Sequence, residues 1–239
     1  MVSERASQRA FFGVSALLFA ASAAVTIVWC ASMPAMGGMP MPGQTWPSAA
    51  ASFLGMWLVM MAAMMLPSLV PMLRRYRQAV GSAGEARLGR LTALVGVGYF
   101  FVWTVFGMAA FPVSVALARA VPIAVAVVVL IAGALQLTAW KARHLAWCRE
   151  APGRGHTLPA DAGTAWRHGL RLGLHCSRCC VGLMAILLVI GVMDLRAMAV
   201  VAAAITVERV APAGERVARA TGAVVVGAGL FLIARAWGQ

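Results

Sequence analysis

Apolar residues in this chain come in runs of about 20, the length that crosses a bilayer core, and stretches rich in Arg, Gly or Pro separate them. The runs are built of Ala, Leu, Val and Met and lack the period-2 alternation of a half-buried strand. Backbone groups in lipid must be satisfied within the segment, so such runs are predicted to be helices. Seven spans are predicted, at about residues 10–31, 50–73, 91–110, 121–140, 176–193, 195–210 and 217–237. The sixth is the shortest and ends at Glu208-Arg209, where a deep hairpin is the alternative to a full crossing. The first is expected to be a retained anchor rather than a signal peptide. Its apolar run exceeds a usual h-region, and no clean A-x-A site follows.

Charge placement orients these spans. Arg5 and Arg9 precede the first, and the next loop, Met33 to Ala49, carries no charge. Arg74, Arg75, Arg77, Arg87 and Arg90 fill the second loop, and Arg119 stands alone in the third. Lys141, Arg143, Arg149, Arg154, Arg167, Arg171 and Arg178 crowd the fourth, Arg196 is alone in the fifth, and Arg209, Arg216 and Arg219 follow the sixth span. Loops rich and poor in arginine alternate, which under the positive-inside rule puts the N-terminus in and the C-terminus out. The expected fold is an all-α polytopic transmembrane helical bundle of about seven spans. It forms one membrane domain over 1–239, with a Met-rich outer loop at 33–49 and a basic cytoplasmic loop at 141–175.

Composition agrees. The chain of 239 residues is 62% hydrophobic and 11% charged, against roughly a quarter charged in soluble domains. The net charge of +13 would suggest nucleic acid on a soluble protein. Its loop pattern explains it instead, so no nucleic-acid partner is expected, and the bilayer is the first partner.

Soft metal ligands cluster within this frame. Cys176, Cys179 and Cys180 fall at i, i+3 and i+4 at the predicted start of the fifth span, so their sulfurs share a face. Thiolates suit Cu(I), Zn(II) or iron–sulfur centres. Free N–H groups at a helix start, with Arg178, would favour the thiolate. Burial as a small hydrophobe accounts for one cysteine more easily than for three on one face. His144 and Cys148 lie four apart after the fourth span and could complete a mixed S/N site, although an interfacial histidine and a spare thiol is the simpler reading of that pair alone. His156 and His168 read as solvated loop residues. Met56, Met60 and Met64 form an i, i+4 stripe with Met61 and Met65 beside it. Thioethers ligate Cu(I), but spacing alone favours helix packing. The uncharged loop adds Met33, Met36, Met39 and Met41, resembling the copper-collecting segments of copper-handling proteins; a loop of small and apolar residues without a ligand role is the alternative. Glu208 beside Arg209 reads as a snorkelling ion pair, Asp194 and Arg196 as an interfacial pair, and Gly96, Gly98 and Gly222 as helix-packing positions.

Certain stretches carry a family resemblance: Met56-Trp-Leu-Val-Met-Met-Ala-Ala-Met-Met-Leu-Pro67-Ser68, Ala132 to Lys141 running to Cys148-Arg149, Gly173-Leu-His-Cys-Ser-Arg-Cys-Cys180 with Leu183-Met184, Gly191 to Leu195, Met198 and Glu208. Together they resemble the bacterial predicted metal-binding integral membrane proteins, a family catalogued as a domain of unknown function. The resemblance implies a multi-pass fold in the bacterial cytoplasmic membrane and a metal site, and no established reaction. Carried onto this chain, it implicates Met60, Met61, Met64, Met65, Lys141, Cys148, Cys176, Cys179, Cys180, Met193 and Glu208. The chain departs from the pattern at His144, where a cysteine is expected, and at Arg178, Val181 and Asp194. Histidine can replace cysteine as a ligand, so His144 stays in the expected site.

The leading expectation is binding, delivery or translocation of Cu(I), with zinc or iron as alternatives and a metallochaperone or metalloprotein client as partner. A membrane thiol oxidoreductase using Cys176 with Cys179 or Cys180, and a structural subunit whose Met and Cys only pack, are the rivals. No ATP-binding motif points to a pump.

Overall fold

The computed structural model describes residues 2–32, 45–81, 84–117, 122–151, 153 and 157–237. The methionines predicted to lie in an outer loop (Met33, Met36, Met39 and Met41), Arg119, Arg154 and His156 lie outside the described residues. Among the described residues every regular element is an α-helix: α1 (Val2–Ser32), α2 (Trp46–Val80), α3 (Glu85–Leu117), α4 (Pro122–Gln136), α5 (Ala139–Glu150), α6 (Ala162–Ile190), α7 (Leu195–Val210) and α8 (Gly214–Trp237).

Helices α1, α2, α3, α6 and α8 are each long and apolar enough to cross a membrane. The predicted fourth span differs from a single rod. It breaks at Leu137-Thr138, and α4 and α5 meet at a 60° bend. Thr138 causes the break by capping the new helix, its hydroxyl accepting from the Lys141 N–H at 3.3 Å. Counted as one broken span, this pair brings the total to six. The 16 residues of α7 rise about 24 Å at 1.5 Å each, short of the roughly 30 Å hydrocarbon core, as its sequence length had suggested.

The larger difference is in α6. It starts at Ala162, well before the Cys176 at which the span was predicted to begin. Asp161 caps it, accepting from the Thr164 N–H at 2.8 Å, and that backbone hydrogen bond holds the Asp161 carboxyl below its usual range. The cysteines therefore sit in mid-helix, where their N–H groups are used within the helix. The argument from a helix start does not apply to them.

Helix α6 packs chiefly on α3, and glycine makes the approach close. A Cβ on Gly173 would lie 2.9 Å from the Tyr99 carbonyl, and one on Gly169 would collide with the carbonyl of Val95. Gly98 and Gly222 pack as expected, whereas Gly96 faces open space. Helix α4 lies on α8, and α2 is held between α1 and α3. Trp57 of α2 is fully buried and donates Nε1–H to the Trp103 carbonyl at 3.0 Å. Helix α2 runs unbroken through Pro67 and Pro71 and ends at Gly81, whose φ of 70° suits glycine.

Large apolar side chains stay exposed around the outside, among them Leu17 and Val28 on α1, Met108 on α3, and Val224 and Phe231 on α8. Faces of this kind fit lipid. One end of the bundle is tied together by polar contacts: Arg77 reaches Ser7 at 2.8 Å, and Leu158 N–H donates to the Ala79 carbonyl at 2.9 Å. At the other end Cys30, near the close of α1, meets Met193 past the close of α6.

Candidate metal centre

Four cysteines converge inside the bundle. Cys148 comes from α5 and Cys176, Cys179 and Cys180 from α6; all are free and at most 2% exposed. The Cys179 and Cys180 sulfurs are 3.6 Å apart. Cys148 lies beside Cys179 and Cys176 beside Cys180, close enough for the sulfurs to interact. Cys176 Sγ also meets the hydroxyl of Tyr99 at 2.9 Å. The helical spacing predicted the α6 face. Cys148 reaches it because the bend at Thr138 turns α5 back toward α6.

Charge lies against these thiols. Arg209 of α7 is buried at 5% exposure. Its Nη2 stands 3.4 Å from Cys179 Sγ and 3.6 Å from Cys148 Sγ, and its Nη1 donates to Ser68 Oγ at 3.1 Å. Its Nε–H has no partner among the described residues. The neighbouring Glu208 turns instead to Lys141, Oε2 to Nζ at 2.7 Å, and accepts from Gln136 at 3.0 Å. Lys141 Nζ also donates to the Cys179 carbonyl. The expected snorkelling pair of Glu208 with Arg209 is thus replaced by two buried, separately partnered groups. The reason is that the end of α7 is packed against α2, α5 and α6 instead of facing an interface. Lys141 and Glu208 neutralise each other, so the thiol cluster faces one uncompensated buried cation.

Met60, Met61, Met64 and Met65 are buried on α2 in the same apolar core as the four cysteines, and Met184 and Met198 join them there. Ser68, one turn beyond Met64 and Met65, links this helix to Arg209. Two predicted residues make their hydrogen-bonding or ring contacts with groups other than these four cysteines. Met193 Sδ contacts Cys30 Sγ at 3.8 Å beyond the end of α6. His144 is half-buried, its Nδ1 2.9 Å from that of His175, whose ring stacks on Trp147 with centroids 3.9 Å apart. His168 is not a solvated loop residue: it lies on α6, stacked on Tyr76. Asp194 caps α7 through the Ala197 N–H at 2.8 Å instead of pairing with Arg196. Arg209, Tyr99 and Ser68 were not anticipated as parts of the site. An arginine at the end of an apolar segment, and one of only two tyrosines in the chain, were the available signals.

Among the described residues, no three His, Cys, Asp or Glu side chains are arranged as a ready metal cage. Pairs of thiols are present, and a pair suffices for Cu(I), which accepts two thiolates in a near-linear arrangement. A tetrahedral Zn(II) site would need four ligands around one centre. A family model described as PpoB2, copper chaperone, matches residues 54–232. The chain belongs to the PpoB2 copper chaperone family. No curated protein and no solved structure matches it. The region shared with the copper chaperone family includes the candidate residues from Met60 to Glu208 and leaves out Cys30, Met33, Met36, Met39 and Met41.

Proposed function

We propose that this copper chaperone family member is an integral protein of the bacterial cytoplasmic membrane. In this reading it takes up Cu(I) on two thiolates drawn from Cys148, Cys176, Cys179 and Cys180 and hands it to a metallochaperone or metalloprotein client. The observation that carries the reading is the convergence of four buried free thiols from two helices around the Arg209 guanidinium. Two thiolates and Cu(I) together bear one negative charge, which a single buried cation balances. The thioethers of Met60, Met61, Met64 and Met65, buried in the same apolar core as the cysteines, are further soft donors of the kind that Cu(I) accepts. The arginine-rich ends, with seven segments counted through the bent α4–α5 pair and the short α7, fit N-terminus in and C-terminus out. The cysteines then lie toward the reducing side and the outer methionine loop toward the oxidising side.

A thiol oxidoreductase is the main rival, and the 3.6 Å approach of Cys179 and Cys180 is what favours it. Burial of those sulfurs to 2% and 1% exposure argues against exchange with an external disulfide, which needs access. The test is anaerobic purification in detergent, metal analysis, and Cu(I) titration of wild type against the Cys176/Cys179/Cys180→Ser variant. Tight binding in wild type that is lost in the variant is expected. Equal weak binding by both would sink the proposal, and a cycling disulfide without metal would support the oxidoreductase.

A further inference from the structure

A cavity of about 710 Å³ opens between the ends of α2, α5, α7 and α8. Arg75, Arg149, Arg209 and Arg216 line it against Glu150 and Glu215, giving it a net charge of +2. Its volume falls within the range of small-molecule sites, roughly 300–1,000 Å³. Arg149 is committed to the fold, its guanidinium donating to the Ala211 and Pro212 carbonyls at 2.6 and 2.9 Å. The side chains of Arg75 and Arg216 are exposed and engage in no hydrogen bond or ion pair among the described residues. Arg209 is the boundary between the cavity and the thiols, since the same side chain lines the cavity and touches Cys148 and Cys179.

We infer that this cavity is the docking site for the copper donor, a small anionic thiol carrying Cu(I) as its bisthiolate complex. This rests on the copper reading above and names the form in which the metal arrives. The complex is anionic through its thiolates and further anionic through any carboxylates of the thiol, so Arg75 and Arg216 attract it and Arg209 receives it. Transfer is a ligand exchange without redox change. Each Cu–S bond to the donor breaks as one to a protein sulfur forms, and the proton of that protein thiol leaves with the departing donor thiolate. Two exchanges move Cu(I) onto the protein and release two thiols, each protonated at sulfur. Displacing one guanidinium side chain is enough to bring the cavity to the sulfurs of Cys148 and Cys179.

The test measures stopped-flow transfer of Cu(I) to the full-length protein in detergent from two donors at matched copper activity. One donor is glutathione, whose carboxylates add to the charge of the bisthiolate, and the other is 2-mercaptoethanol, whose complex carries the single bisthiolate charge alone. The variant is Arg75→Glu/Arg216→Glu, which leaves every thiol and Arg209 in place. Transfer from glutathione is expected to slow by about tenfold or more, the usual scale of electrostatic steering. Transfer from 2-mercaptoethanol, whose Cu(I) complex carries only the single charge of the bisthiolate, is expected to slow far less, and the equilibrium Cu(I) affinity is expected to stay unchanged. S-Methylglutathione, which has the same carboxylates and no free thiol, is expected to slow transfer from glutathione by occupying the cavity. Equal slowing of both donors, or of neither, overturns the inference while leaving copper binding intact. Failure of wild type to take Cu(I) from either donor overturns the functional reading itself.

Discussion

Replacing Arg209 by methionine removes the buried cation in contact with the thiols that has no carboxylate partner among the described residues, and keeps most of the side-chain volume. The guanidinium lies 3.4 and 3.6 Å from two sulfurs. Once Cu(I) is held by two thiolates, the excess negative charge sits about 4 Å from it, worth about 4 kcal/mol at an effective dielectric of 20. At about 1.4 kcal/mol per factor of ten, that is a loss of nearly a thousandfold in Cu(I) affinity. A neutral Zn(II) bisthiolate gains nothing from the guanidinium, so zinc affinity is expected to hold or rise and the preference for Cu(I) to collapse. Arg209→Lys keeps the charge and is expected to retain much of the affinity. The assay is an anaerobic competition titration against a chromophoric Cu(I) chelator, paired with thermal unfolding of the metal-free protein. Without metal Arg209 has no carboxylate among its hydrogen-bond partners, and replacing a buried charge by a well-packed apolar side chain is often neutral or stabilising. The unfolding temperature should therefore not fall. A methionine variant that stays folded and binds Cu(I) within about threefold of wild type would refute the charge-balance argument.

Lys141→Met strands Glu208, whose salt bridge at 2.7 Å is almost fully buried, and is expected to destabilise the protein by about 3–5 kcal/mol. The Lys141→Met/Glu208→Leu variant should recover most of that loss in denaturant unfolding, and a double variant no better than the single one would contradict it. Gly173→Ala sets a Cβ 2.9 Å from the Tyr99 carbonyl and is expected to cost about 1–3 kcal/mol of stability by overpacking. Because Tyr99 also contacts Cys176, the same change should weaken Cu(I) binding, and a stable variant with unaltered binding would show that the α3–α6 contact does not set the site.

The apolar runs located most of the helices, since crossing lipid demands length and composition that are written locally. Where an apolar run holds its own capping signal, hydropathy reads past it: Thr138 cuts the predicted fourth span into α4 and α5, and that bend is what delivers Cys148 to α6. The start of α6 was misread for a related reason. Between Ala162 and Cys176 the helix carries Arg167 and Arg171 on its exposed side and Gly169 and Gly173 against α3, so the mean polarity resembles a loop although the periodicity is helical. The shared cysteine face needed only the i, i+3, i+4 rule and was legible. The role of Arg209 was not, because Glu208 beside it in sequence offered a complete local explanation. Which of two adjacent buried charges faces which partner depends on three other helices, and spacing along one segment holds no information about that.

Charge accounting also bears on how the two kinds of soft donor could work in sequence. The α2 methionines are neutral, so Cu(I) among Met56, Met60 and Met64 would keep its positive charge and be held weakly, as suits a step along a path. These residues recur every turn on α2, which follows the cluster of Met33, Met36, Met39 and Met41 in sequence and meets Arg209 at Ser68. On the proposed reading the balance inverts at the cysteines: two thiolates would make the copper centre anionic, and Arg209 would compensate it. Release then requires either protonation of a thiolate or movement of Arg209 out of contact with the sulfurs. Either event raises the energy of the loaded state by an amount comparable with the attraction worked out above. On the proposed reading, the residue that makes the site hold Cu(I) is also the residue whose displacement lets it go, and the cavity on its other side is where a donor or client could cause that displacement.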